Sequence, residues 1–223
     1  MELGDRMKLF ENAYRIYLPP RMPVIIRVDG KAFHTLTRKC EKPFDALFAA
    51  VMDSTASALL EKVQDARMAY VQSDEISLLL IGYNTFASEP WFSNNLQKMV
   101  SISAAVASAT FTMCWDYEPA YFDSRAFILP ENEVCNYFLW RQQDCTRNSI
   151  QMVAQSMYSH KELHEKNSAE LQEMTFQKGI NWNDYEPYWK RGRVITHEGV
   201  DRGIPIFTED RKYIEKFLEI EEK

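Results

Sequence analysis

Residues 24–30 read Val-Ile-Ile-Arg-Val-Asp-Gly, and no other stretch of the chain limits the fold so tightly. A β-branched run that ends at Asp-Gly is a short buried strand feeding a tight turn. Side chains alternate along a strand, so Val24, Ile26 and Val28 share one face while Ile25, Arg27 and Asp29 share the other. The first face is wholly aliphatic and needs helices over it. The second carries a cation and a carboxylate and is expected to face something polar.

The segments that follow supply partners for such a strand. After Pro43, the residues Phe44, Leu47, Phe48, Val51, Met52, Thr55, Leu59 and Val63 recur at three- and four-residue intervals, the spacing of an amphipathic helix. Residues 68–72 and 76–81 are strand-like and are joined only by Ser73-Asp74-Glu75, which predicts a β-hairpin with carboxylates at its tip. A second helix, rich in Ala and Ser, is expected over 96–115, and another strand over 122–129, closed by Pro130. Strand, helix, strand, strand, helix, strand is the split βαβ plan, an antiparallel sheet with both helices on one face. The expected fold is therefore α+β: a ferredoxin-like core over 1–130, and a mainly helical extension over 131–223 packed on the same domain. Within that extension, helices are expected over 131–160 and 161–176, then an irregular stretch over 179–203 and a charged terminal helix.

Composition narrows the function. The chain has 223 residues with 26 Lys plus Arg against 32 Asp plus Glu, a net charge of −6. That balance excludes a protein that holds nucleic acid by bulk positive charge, so any nucleic-acid contact must be local. No apolar run approaches the roughly 18 residues of a membrane span, and a cytoplasmic protein without a membrane partner is expected. The four cysteines form no C-x-x-C pair and read as reduced, mostly buried side chains.

Asp29 ends the first strand, and Asp74 with Glu75 sits at the hairpin tip, so this fold can bring the carboxylates together. Clustered carboxylates raise one another's pKa unless a cation lies between them. Hard oxygen ligands suit Mg²⁺, which takes one or two carboxylates and completes its shell with phosphates. Spacing alone leaves two readings open, this metal site and a pair of ordinary polar turns.

Further segments tip the balance. Asp5-Arg6-Met7-Lys8, Arg27-Val28-Asp29-Gly30-Lys31-Ala32-Phe33-His34, Lys42-Pro43, Gln72-Ser73-Asp74-Glu75-Ile76-Ser77, Phe122-Asp123-Ser124-Arg125, Trp140-Arg141-Gln142-Gln143-Asp144 and Gly179-Ile180-Asn181-Trp182-Asn183 occur in this order over most of the chain. Together they resemble the tRNA(His) guanylyltransferase-like family, polymerases that add nucleotides in the 3′–5′ direction. The resemblance implies a palm-like core and two Mg²⁺ ions held by Asp29, the Gly30 carbonyl and Asp74, with Glu75 as the neighbouring catalytic carboxylate. It also implies a nucleotide pocket for GTP, ATP and other nucleoside triphosphates formed by Arg27, Asp29, Gly30, Lys31, Ala32, Phe33, His34, Lys42, Ser73, Asp74 and Lys98. In residue terms, Lys31 can meet phosphate, and Phe33 or His34 can stack on a base. A tRNA substrate and a homo-oligomer, often a tetramer, are implied as well.

One departure is informative. Family members acting on tRNA(His) carry His-Ile-Asn-Asn after the position of Asp144, whereas this chain has Thr146-Arg147-Asn148-Ser149. The change resembles the branch that repairs 5′-truncated tRNAs against a template, and that activity is expected here over addition of a single 5′ G. Candidate RNA contacts are Arg141 and Asn148 on one helix face, and Lys190 and Arg191 beside Tyr185, Tyr188 and Trp189. Two alternatives come from other classes. A non-catalytic RNA-binding module would show aromatic motifs on its central strands, and a nucleotidyl cyclase would need no tRNA.

Overall fold

The computed structural model describes residues 1–115 and 119–220. In chain order the helices are α1 (Leu3–Asn12), α2 (Phe33–Leu36), α3 (Ala46–Lys62), α4 (Leu96–Cys114), α5 (Glu131–Gln155), α6 (His160–Leu163), α7 (Ser168–Gln177), α8 (Pro187–Arg191) and α9 (Lys212–Glu215). The strands are β1 (Val24–Gly30), β2 (Ala66–Gln72), β3 (Glu75–Leu80), β4 (Phe122–Ile128), β5 (Arg193–Thr196) and β6 (Gly199–Asp201).

The six strands form one antiparallel sheet in the order β4-β1-β3-β2-β5-β6. Its first four strands are the expected βαββαβ core. The buried face of β1 packs as its alternation requires: Val24, Ile26 and Val28 join Met52, Leu59, Met99 and Phe111 from α3 and α4 in the larger core. Asp45 starts α3 by accepting the Phe48 N–H at 2.8 Å, and Asn95 starts α4 by accepting the Lys98 N–H at 3.1 Å.

Three expectations need correction. The second sheet face, expected to meet something polar, is largely apolar: Ile25, Met68, Tyr70 and Leu79 point onto it, and α5 covers them with Val134 and Phe138. Apolar side chains on both faces of the central strands demand two covering layers. The 179–203 stretch is not irregular, because β5 pairs with β2 and extends the sheet. Its approach depends on Gly192 at φ +77°, where a Cβ would lie 2.7 Å from both Tyr70 Oη and the Val71 carbonyl. The buried Arg193 then donates to Asp53 on α3 and, at 2.9 Å, to the Ala49 carbonyl, tying the added strand to the core. The terminal helix is reduced to the single turn of α9, and residues 221–223 lie outside the described residues.

Candidate active site

The turn between β2 and β3 contains only Ser73 and Asp74, and Ser73 takes a φ of +45° to make it. This tight turn drops Asp74 beside the end of β1, where the Gly30 N–H donates to the Asp74 carbonyl at 3.1 Å. Asp29 lies on β1 directly across from Glu75 on β3 and Asp123 on β4. The two aspartates are thus fixed at one end of the central strands by the backbone itself.

Their electrostatics are strained. Burial, reinforced by the charges of Asp29 and Glu75, pushes the Asp74 carboxyl up to about 6. Burial, together with Glu75 and Asp123, also raises that of Asp29. No set of three or more metal-ligating side chains converges among the described residues. Two uncompensated carboxylates are nevertheless the number Mg²⁺ takes when phosphates and water complete its shell, so the donor set fits that ion.

Glu75 behaves differently. Its two oxygens accept Arg141 Nε at 2.8 Å and Arg141 Nη2 at 2.9 Å, a bidentate pair, and Gln72 Nε2 adds a third bond at 3.1 Å. Arg141 Nη2 also donates to Asp144 at 2.7 Å, and Asp144 in turn accepts from Arg147 and Asn148. Glu75 is a buried anchor for this network, its charge matched by the Arg141 fork. Arg141 is 5% exposed, and its Nε and Nη2 are engaged by Glu75 and Asp144, so only its Nη1 is left for the expected RNA contact. Asn148 does line the cleft.

That cleft encloses about 440 Å³ and is walled by Arg27, Asp29, Ser73, Asp74, Trp140 and Asn148 among others. Arg27 Nε lies 3.9 Å from Glu75 and has no hydrogen-bond partner, although it is buried. A buried, unpartnered guanidinium nitrogen beside two carboxylates suits an anion carried in with a cation.

Other expected residues separate from this group. Phe33 cannot stack on a base: it is 3% exposed and packs edge-on against Phe48 and Phe122 and tilted against Phe111. His34, Lys31 and Ala32 remain exposed on the turn that follows β1. Lys42 is exposed on the loop before α3, its ammonium donating to the Thr37 carbonyl at 3.2 Å. Lys98 stands apart, because Ser108, which accepts the Phe122 N–H beside Gly30, is ten residues, about 15 Å, further along α4. The cations of Lys190 and Arg191 are partly covered and donate to the carbonyls of Asn183 and Ile204. The Trp189 ring stacks on Phe44 at 4.9 Å, so this cluster closes the fold around α8. Gln72, which sequence reasoning quoted in a motif but gave no role, bonds Glu75 from the end of β2.

The family model described as tRNAHis guanylyltransferase matches residues 4–130, more than half of the chain. This chain belongs to the tRNAHis guanylyltransferase family. It is a nucleotidyltransferase. The tRNA(His) guanylyltransferase of Debaryomyces hansenii is 30% identical over 219 residues, which cover 87% of this chain and 80% of that protein. A bacterial tRNA(His) guanylyltransferase-like protein solved in complex with ATP is 47% identical, with a TM-score of 0.94 over 97% of this chain and 99% of that one. A second such bacterial protein, solved with GTP, is 43% identical, with a TM-score of 0.84 over 97% of this chain and 98% of that one. Among the described residues, no helix of this guanylyltransferase-family chain is long and apolar enough to cross a membrane.

Proposed function

We propose that the chain adds nucleotides to the 5′ end of tRNA in the 3′–5′ direction, with Mg²⁺ as cofactor and ATP or GTP as the activating nucleotide. The observation that carries this is the pairing of Asp29 with Asp74 beside the unpartnered Nε of Arg27. A non-catalytic RNA module has no use for two carboxylates held at raised pKa.

In the proposed reaction an oxygen of the tRNA 5′-monophosphate attacks the α-phosphorus of the activating triphosphate, and pyrophosphate leaves. The 3′-hydroxyl of the incoming nucleotide then attacks the activated 5′-phosphorus, and the nucleoside monophosphate leaves. Asp29, Asp74 and the Gly30 carbonyl would hold Mg²⁺, which when bound offsets charge on the attacking and leaving oxygens. Arg27 meets triphosphate charge from β1, with Lys31 on the turn after β1, the exposed His34 on α2 and Lys42 on the loop before α3 as further contacts. Arg141 acts through Glu75 to hold the edge of β3 against α5.

Template-dependent repair of 5′-truncated tRNA is favoured over addition of one G by Thr146-Arg147-Asn148-Ser149. In place of the family's motif, this segment puts a hydroxyl that donates to the Lys190 carbonyl at 3.0 Å and an exposed arginine on α5. Wild-type protein incubated with tRNA lacking its first nucleotide, and separately with full-length tRNA(His), gives product lengths that decide the matter. Extension of the truncated tRNA to its template-defined length is expected, and strong preference for full-length tRNA(His) reverses the reading. Asp29→Ala and Asp74→Ala each abolish turnover with the circular dichroism spectrum unchanged; wild-type rates from either variant refute the site.

Homo-oligomer formation has a surface to use. No residue of α1 is buried, and Leu3, Met7 and Phe10 leave an apolar stripe on its exposed side.

A further inference from the structure

A trough of about 750 Å³, larger than the carboxylate cleft, lies on the helix-covered side of β1. It begins one residue beyond Gly30, where the Lys31 N–H donates to the Tyr121 carbonyl at 2.8 Å, and runs under the α2 turn toward the start of α3. Lys31, Arg38 and Lys39 line it, all exposed, and none of their side chains has an ion-pair or hydrogen-bond partner among the described residues. In a protein of net charge −6, three unpaired cations around one trough form a local positive field.

The carboxylate content identifies the anion. Among the described residues lining the trough, the only carboxylate is Asp45, and its two oxygens are taken by the N–H groups of Phe48 at 2.8 Å and Glu41 at 2.9 Å. The backbone donors hold its carboxyl below the ordinary value against the opposing effect of burial. Among the described residues, the trough is thus lined by cations rather than by carboxylates free to hold a divalent ion. Phosphodiesters, each with a single charge, are matched by separate Lys and Arg side chains. Tyr121, 62% exposed at the rim, adds an aromatic face on which an unpaired base can stack.

We infer that this trough binds the sugar-phosphate backbone of the RNA strand whose 5′ end reaches Asp29 and Asp74, with Arg38 and Lys39 as its phosphate contacts. The inference rests on the tRNA reading above and places the acceptor strand on the opposite side of the Lys31 turn from the carboxylate cleft.

The test is an Arg38→Gln/Lys39→Gln double variant, measured against wild type for binding of 5′-truncated tRNA over a range of salt concentrations and for binding of ATP with Mg²⁺. Affinity for tRNA is expected to fall about tenfold, and the slope of log affinity against log salt by about 1.4, the value for two lost single-strand phosphate contacts. ATP affinity is expected to stay unchanged. Unchanged tRNA affinity in a variant whose wild-type parent extends truncated tRNA overturns the trough alone. Weakened ATP binding with tRNA binding intact makes the trough a nucleotide subsite and also overturns the inference. Failure of the wild type to bind or extend tRNA overturns both this inference and the proposed function.

Discussion

Single side chains decide how the carboxylates divide their work. Glu75 and Asp74 are neighbours in sequence, yet one is neutralised by a bidentate arginine and the other is left to repel Asp29. Arg141→Ala leaves Glu75 buried without its partner, and a loss of about 3 kcal/mol is expected in urea denaturation. Arg141→Lys restores a charge but not the planar fork, so part of the stability returns while kcat stays low. Asp74 gives a pH signature. Its folded pKa lies near 6, above the unfolded value, so the native state binds the extra proton between about pH 4 and 6. Stability of the metal-free protein from this group is therefore greatest at the acid end, falls as pH rises through 6, and stays low above it. Asp74→Asn should raise the Tm of metal-free protein at pH 7 by the equivalent of about 1–2 kcal/mol and leave it little changed near pH 4.5. Asp29, whose carboxyl is also raised, still faces the site in that variant, so a residual slope remains.

At the level of elements, the loop after β1 is held by its packing. An added Cβ on Gly30 would meet the Phe33 ring at 2.6 Å, and that ring cannot retreat because Phe48, Phe111 and Phe122 surround it. Gly30→Ala is expected to cost about 1–3 kcal/mol and to lower turnover further by displacing the Lys31 turn, measured by thermal melting and product yield. The sequence foretold the core elements well, because Val24–Gly30 and α3 carry clear two- and 3.6-residue periods. It did not foretell β5: Arg193–Thr196 is too short to show a period, and its place in the sheet depends on Gly192 and on the Arg193–Asp53 pair.

For the whole molecule, the charge of −6 and the clustered carboxylates at the ends of β1 and β3 leave any RNA contact to a few local cations rather than to the overall field. Assembly can add to that surface. Introducing Glu at Leu3 and Phe10 puts charge into the exposed stripe of α1, and size-exclusion chromatography with light scattering should show a smaller species than wild type. Because α1 has no buried residue, this change should not unfold the monomer. What the sequence determined by itself was local: strand and helix periods, the Asp-Gly turn, the hairpin across Ser73-Asp74-Glu75 and the motifs that carry the family resemblance. Only the tertiary structure decided which charged side chains meet, because pairing across 66 residues, as between Glu75 and Arg141, depends on α5 crossing the second face of the sheet. It paired Arg141 with Glu75, buried Phe33 among aromatic rings, and left Asp29 and Asp74 as carboxylates whose pKa burial raises.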